Sequence, residues 1–160
     1  MPPPNVVSRE ELIKAVVKAR AAGLRTVLAN GCFDVLHVGH IRYLAGARSE
    51  GDLLIVGVNS DEQVLEQKGE GRPILPAAQR ADIVAALESV NYVTVFDEPT
   101  VAELLLVLKP DVHAKGTDYT VDTVPEREVV KSYGGRVAIV GDPKDHSTSE
   151  ILSRMEKMND

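Results

Sequence analysis

Thr26-Val27-Leu28-Ala29 runs directly into Asn30-Gly31-Cys32-Phe33-Asp34-Val35-Leu36-His37-Val38-Gly39-His40, and this junction decides the fold. The short apolar run has the makeup of a buried strand, and from Val38 onward Ile41, Leu44, Ala45 and Arg48 recur at helical spacing. The polar stretch between them is therefore read as the turn from a first parallel strand into a helix, where α/β folds put their chemistry. A helix start offers unpaired backbone N–H groups and the positive end of the macrodipole, and both favour a bound phosphate. His37 and His40 are three apart, so with a helix beginning near Val38 they share one side of its first turn. Gly39 between them removes a side chain where a ligand has to approach closely.

Upstream, Ser8-Arg9-Glu10-Glu11 has the capping-box form and opens a helix with Leu12, Ala15, Val16 and Ala19 on one face, ended by Gly23. The prolines near the start read as a loose tail, so residues 1–7 are expected to be flexible and 8–160 to form one domain. Downstream, 53–59 is an almost continuous apolar run, the mark of a strand buried on both faces of a parallel sheet. Asn59-Ser60-Asp61 caps a short helix to Gln67, and 67–76, rich in Gly and Pro with two cations, reads as a loop that can fold over a ligand. A helix over 77–89 leads to a strand over 92–96. Thr100 and Glu103 repeat the capping-box form ahead of a helix that Pro110 closes, and 111–114 is a fourth strand with a loop over 115–119. A helix over 125–133, the Gly134-Gly135 turn and a fifth strand over 136–140 follow, and Ser147-Thr148-Ser149-Glu150 caps a last helix through Met158.

Strands alternating with helices in this way predict an α/β chain with a Rossmann-like, doubly wound parallel five-stranded sheet. Ligands of such sheets bind beyond the carboxyl ends of the strands, where the loops over 30–40, 59–61, 68–72, 115–119 and 147–149 gather. These loops hold most of the groups able to do chemistry.

Composition narrows the function class. The chain has 160 residues, 44% hydrophobic and 26% charged, with a net charge of −6. That size supports a core without disulfides or a structural metal. The negative balance argues against a nucleic-acid partner or an anionic membrane surface, which need broad basic faces. The single cysteine, Cys32, excludes an internal disulfide and is read as a small buried residue rather than a nucleophile. No stretch approaches the ~18 apolar residues of a membrane span, so a cytoplasmic location is expected.

The series Gly31-Cys32-Phe33-Asp34 followed by His37-Val38-Gly39-His40 resembles the signature of the cytidylyltransferase-like nucleotidyltransferases, with its His-x-Gly-His motif. Val58-Asn59-Ser60-Asp61, Lys68-Gly69-Glu70-Gly71-Arg72-Pro73, Arg80, Lys115-Gly116-Thr117-Asp118-Tyr119 and Ser147-Thr148, in this order, narrow the likeness to bacterial heptose 1-phosphate adenylyltransferases without a fused kinase. The resemblance runs from about Ser8 to Ile151. It implies attack of a sugar 1-phosphate on the α-phosphate of ATP, giving ADP-sugar and pyrophosphate for cell-surface polysaccharide precursors.

The resemblance also implies roles. His37, His40 and Lys68 form the catalytic set, with the histidines on the α- and β-phosphates. Asn30, Gly31, Phe33, Asp34, Gly39, Arg72, Arg80, Ser147 and Thr148 surround the nucleotide, and Asn59, Asp61, Lys115, Gly116 and Asp118 meet the second substrate. Asp34 either orients a histidine or closes the turn. Arg80 either reaches the phosphates or pairs with Asp82 or Glu88 at the surface.

Two departures stand out. The arginine and Gly-Ile that several relatives carry before Ser-Thr are absent, leaving Lys144 or His146 as substitutes, and Thr117 replaces a glycine near the sugar. Mg²⁺ is expected with the triphosphate, held through phosphate oxygens and water, since no carboxylate cluster marks a protein-built site. Relatives are often dimers, and a homodimer is kept as an expectation. Two alternatives stay open: a transferase using CTP with an alditol or amino-alcohol phosphate, and a non-catalytic nucleotide-binding module.

Overall fold

The apolar run over 53–59 forms strand β2 (Leu53–Asn59) because its residues split between two cores. Leu54, Val56 and Val58 pack on one face of the sheet and Ile55 on the other. The same division holds in β1 (Thr26–Gly31), where Val27 and Ala29 face one core and Leu28 the other. In the computed structural model, which describes residues 5–143 and 148–159, these strands lie side by side in a five-stranded sheet. The others are β3 (Tyr92–Phe96), β4 (Val112–Lys115) and β5 (Arg136–Ile139). The order is β3-β2-β1-β4-β5 and every pairing is parallel.

Helices cover both faces. Helices α2 (Val38–Arg48) and α4 (Ala77–Ala85) bury Leu44, Ala47, Ala81 and Val84 against the first core. Helices α1 (Arg9–Ala21), α5 (Ala102–Leu108) and α6 (Arg127–Ser132) cover the second with Leu12, Val16, Leu104, Leu105, Leu108 and Val130. Each fully buried leucine of this set contributes about 1.5–3 kcal/mol relative to an exposed one. The capping box at Ser8 forms as its sequence requires: Glu11 N donates to Ser8 Oγ at 3.2 Å and Ser8 N to Glu11 Oε2 at 3.3 Å. Among the described residues helices α3 (Asp61–Lys68) and α7 (Thr148–Asn159) complete the set, and a single 3₁₀ turn, Val121–Thr123, appears where the sequence pattern gives no element.

Four local expectations are corrected. Asn5 to Val7 are not loose: Val6 pairs in parallel with Val93, Val93 N donates to Asn5 O, and Val7 N donates back to Val93 O, both at 2.9 Å. Helix α4 stops at Ala85 rather than near 89, because the chain tightens into successive turns that bury Val90 and bring Asn91 Oδ1 to accept from Leu54 N at 2.8 Å. Helix α5 begins at Ala102, with Val101 in the capping position, so Thr100 sits one residue too early for a box with Glu103. Its hydroxyl instead accepts from Ala102 N at 3.3 Å. Lys68 ends α3 rather than opening the following loop.

Candidate active site

The first βα turn is shaped by strain and held by buried charge. Phe33 (φ 50°) and Val35 (φ 53°) both adopt left-handed backbone, which a β-branched residue such as Val35 resists. Between them Asp34, 1% exposed, accepts from Arg72 Nε at 2.9 Å, Ile74 N at 2.7 Å and Leu75 N at 3.0 Å. Burial opposes ionisation of this carboxyl, but those three donors together outweigh it and hold its pKa below the ordinary value. From the other side Thr148 Oγ1 donates to Asp34 O at 2.8 Å and lies 3.1 Å from Val35 O. Of the two roles expected for Asp34, closing the turn is the one these bonds perform.

The turn delivers two histidines to the start of α2. His37 occupies the N-cap, and its Nδ1 accepts from Gly39 N at 3.1 Å. His40 Nδ1 accepts from His37 N at 3.2 Å, so the pair forms a reciprocal cap built from imidazoles. Because both Nδ1 atoms are acceptors, the proton of each ring sits on Nε2, the nitrogen able to donate elsewhere. The two rings lie with centroids 3.9 Å apart and planes inclined by 32°, and the Phe33 ring is 5.5 Å from that of His40.

This pair lines a cavity of about 660 Å³ at the carboxyl ends of the strands. Most residues expected there share its wall: Asn30, Gly31, Phe33 and Asp34 from the turn, Gly39 beside the histidines, and Asn59, Lys68 and Arg72 on one side. Lys115, Gly116 and Asp118 stand on the other, with Thr148 above. A methyl group at Gly116 would press to 3.1 Å from Asp118 Oδ1. Lys115 Nζ lies 4.5 Å over the Tyr119 ring, and burial pulls its pKa down against the opposing pull of Glu126 and Asp118. Thr117 also lines the cavity and donates from Oγ1 to Asp142 O at 2.6 Å, tying the β4 loop to the segment after β5.

Two residues stand elsewhere. Arg80 is fully buried and is absent from the cavity wall. Its guanidinium donates from Nε to Leu75 O at 2.9 Å, from Nη1 to Cys32 O at 2.6 Å and Asn59 O at 2.8 Å, and from Nη2 to Asp61 Oδ1 at 2.7 Å. It thus stitches the ends of β1 and β2 together, and its ion-pair partner is Asp61 rather than Asp82 or Glu88. Asp61 also accepts from Ala77 N at 2.8 Å, so its carboxylate serves this brace outside the wall. Ser147, with Lys144 and His146, lies outside the described residues.

Several cavity residues carried no clear sequence signal. Tyr43, whose hydroxyl donates to Ala114 O at 2.7 Å, follows His40 by three and was findable from helical spacing. His113 is fully buried behind the wall, with Nε2 2.9 Å from Asn30 Oδ1, a contact that fixes the Asn30 amide. Burial, reinforced by Lys115, lowers the His113 pKa to about 3. Glu126 lines the cavity from the N-cap position of α6, which begins at Arg127 rather than at 125 as the helical pattern suggests. Cys32 also reaches the wall, its Sγ 3.9 Å from both Asn59 Oδ1 and Gln67 Oε1, with burial raising the thiol pKa over the lowering effect of Lys68, Arg80 and Arg72.

A parallel sheet whose first βα turn sets two imidazoles on a helix start, ringed by Lys68, Arg72 and Lys115, gives a cavity whose donors and cations are chemically suited to a phosphate. A family model described as cytidylyltransferase-like matches residues 28–157, and the chain belongs to this family of nucleotidyltransferases. It is 48% identical over 153 residues to the bifunctional protein HldE of Geobacter sulfurreducens, a match covering 96% of this chain and 31% of that protein. It is 47% identical to the bifunctional protein HldE of Alcanivorax borkumensis, covering 96% and 32% respectively. The chain therefore spans about a third of the length of these relatives. A crystal structure of the lipopolysaccharide core biosynthesis protein from Thermoplasma volcanium superposes with a TM-score of 0.67 at 26% identity, over 76% of this chain and all of that one. Among the described residues no helix is long and apolar enough to cross a membrane.

Proposed function

We propose that this protein transfers the AMP part of ATP to a sugar 1-phosphate, heptose 1-phosphate, releasing pyrophosphate and forming an ADP-sugar for surface polysaccharide. The carrying observation is the His37–His40 pair at a helix start, its rings 3.9 Å apart and each Nδ1 accepting from backbone N–H, which puts the ring proton of each on Nε2. The ordered resemblance to heptose 1-phosphate adenylyltransferases supports the choice of substrates, as do the likeness to HldE and to a lipopolysaccharide core biosynthesis protein.

In this reading an oxygen of the sugar phosphate attacks the α-phosphorus while the bond to the bridging oxygen breaks, and pyrophosphate leaves with the electron pair. The chain supplies no covalent nucleophile, because the second substrate is one. The two imidazoles donate to oxygens that gain charge in the transition state, and donors fixed in advance for that charge are the strongest form of such stabilisation. Lys68 and Arg72 hold the triphosphate, Lys115 the sugar phosphate, and Asn59 and Gly116 border the second substrate. Orientation of two polyanions supplies much of the rest.

Among the described residues no group of three or more His, Cys, Asp or Glu side chains is arranged to hold a metal ion. The reading expects a Mg²⁺ ion to accompany the triphosphate and, when bound, to lower its charge. The reading carries with it a cytoplasmic enzyme and a homodimer, the latter measurable by sedimentation. The deciding experiment is pyrophosphate release with ATP and CTP set against heptose 1-phosphate, other sugar 1-phosphates and alditol or amino-alcohol phosphates. ATP with heptose 1-phosphate is expected to turn over fastest. Preference for CTP would replace the reading with the cytidylyl alternative, and no release with any pair would favour a nucleotide-binding module.

A further inference from the structure

Glu126 stands just before α6 and lines the cavity. Its Oε2 is shut off from solvent and has no hydrogen-bond partner among the described residues. A carboxylate oxygen left in that state costs the chain stability unless a donor arrives. The electrostatic neighbours of this end of the cavity are Lys115 and Asp118: both carboxylates act on the Lys115 ammonium, which rests over the Tyr119 ring. One cation and two carboxylates therefore share one wall. A phosphate has only acceptors and suits the cation, whereas hydroxyl groups donate and suit the carboxylates.

We propose that Glu126 accepts hydrogen bonds from hydroxyl groups of the sugar, forming with Asp118 a polyol-reading subsite beside the Lys115 phosphate contact. This rests on the sugar 1-phosphate reading above and assigns the sugar's orientation within it. The phosphate lies at Lys115 with its oxygen toward the histidines, and the hydroxyl-bearing carbons lie toward α6. Glu126 selects for hydroxyl-rich acceptors and takes no part in the chemical step.

The test is steady-state pyrophosphate release by Glu126→Gln and Glu126→Ala, varying heptose 1-phosphate at saturating ATP and then the reverse. Replacing a charged acceptor with a neutral one is expected to raise KM for the sugar phosphate about tenfold, and removing it more, with kcat and KM for ATP little changed. Thermal stability of Glu126→Gln is expected to equal or exceed that of the parent, since a buried group lacking a partner is neutralised; a structural carboxylate would show a loss. A rise in KM for ATP alone, or no change in either KM, overturns the proposal. Should the parent protein not turn over this pair, the sugar 1-phosphate reading fails by itself. Glu126 is then judged by equilibrium binding of heptose 1-phosphate: a tenfold weaker Kd in Glu126→Gln upholds the subsite, while equal binding, or none by the parent, overturns it.

Discussion

Beneath the histidines, the cavity floor is held by charge taken out of water: Asp34 with its three donors, Arg80 with four acceptor contacts, and Arg72 tied to Asp34. At the rim beyond α3 the arrangement is the reverse. Lys68 is exposed, and Gly69 (φ 89°) and Gly71 (φ 84°) follow it with open space around them. Fixing a backbone in left-handed strain while aiming two rings requires bonds that water cannot replace, so the floor uses buried groups whose alternatives are all costly. On the function proposed above, the rim has only to present Lys68 to a polyanion, and a long solvated side chain does that without such bracing. In that reading precision sits where charge changes hands, and adaptability where substrates enter.

The comparison breaks most sharply at Arg80. Arg80→Met leaves the carbonyls of Leu75, Cys32 and Asn59 without their donor, and a loss of about 3–5 kcal/mol is expected, each orphaned buried acceptor costing about 1–3 kcal/mol. A thermal melt should fall by roughly 10 °C for a domain of this size, and an unchanged midpoint would remove Arg80 from the brace. Next, His40→Ala is expected to lower kcat by about 10²–10³ with little change in ATP affinity, the signature of an interaction made in the transition state. Turnover at the parent rate would take the histidine pair out of the mechanism.

A smaller effect follows from His113. Its folded pKa of about 3 lies below the ordinary 6.5, so the unfolded chain binds the proton first, and the stability this neutral ring preserves above pH 6.5 is lost as pH falls from there toward 3. Between pH 7 and 5 the loss should be about 2 kcal/mol. In urea titrations at pH 7 and pH 5 His113→Gln, which keeps a donor for Asn30, should lose correspondingly less over that interval; equal losses would mean the ring is not held neutral. The smallest effect belongs to the rim. Lys68→Ala is expected to raise KM for ATP about tenfold with an unchanged melting temperature, as for loss of a charged hydrogen bond to an exposed side chain.

The same division governed what could be read from the chain. The strand over 53–59 was legible because residues buried on both faces leave an apolar run, and the capping box at Ser8 because its bonds are local. The turn with His37 and His40 was legible because strand, loop and helix start are contiguous. Arg80 was not, since its acceptors at Cys32 and Asn59 lie 48 and 21 positions away and spacing on its own helix says nothing of them. Glu126 and His113 escaped for a related reason: the pattern gives the helix start and the strand they belong to, but not which of their side chains the folded sheet turns toward the cavity or its wall. Asn5 to Val7 were misread because proline content outweighed the pairing with β3, which only the folded sheet provides.

Cys32 gives this cavity a practical property. It is the one thiol in the chain and it stands on the wall between Asn59 and Gln67, so a covalent label has a single address, and that address is inside the site. Because burial keeps the sulfur protonated, slow neutral reagents applied above neutral pH suit it better than fast ones. The rate of labelling, followed by intact mass with ATP or a sugar phosphate present, then becomes an occupancy meter that needs neither turnover nor an engineered residue.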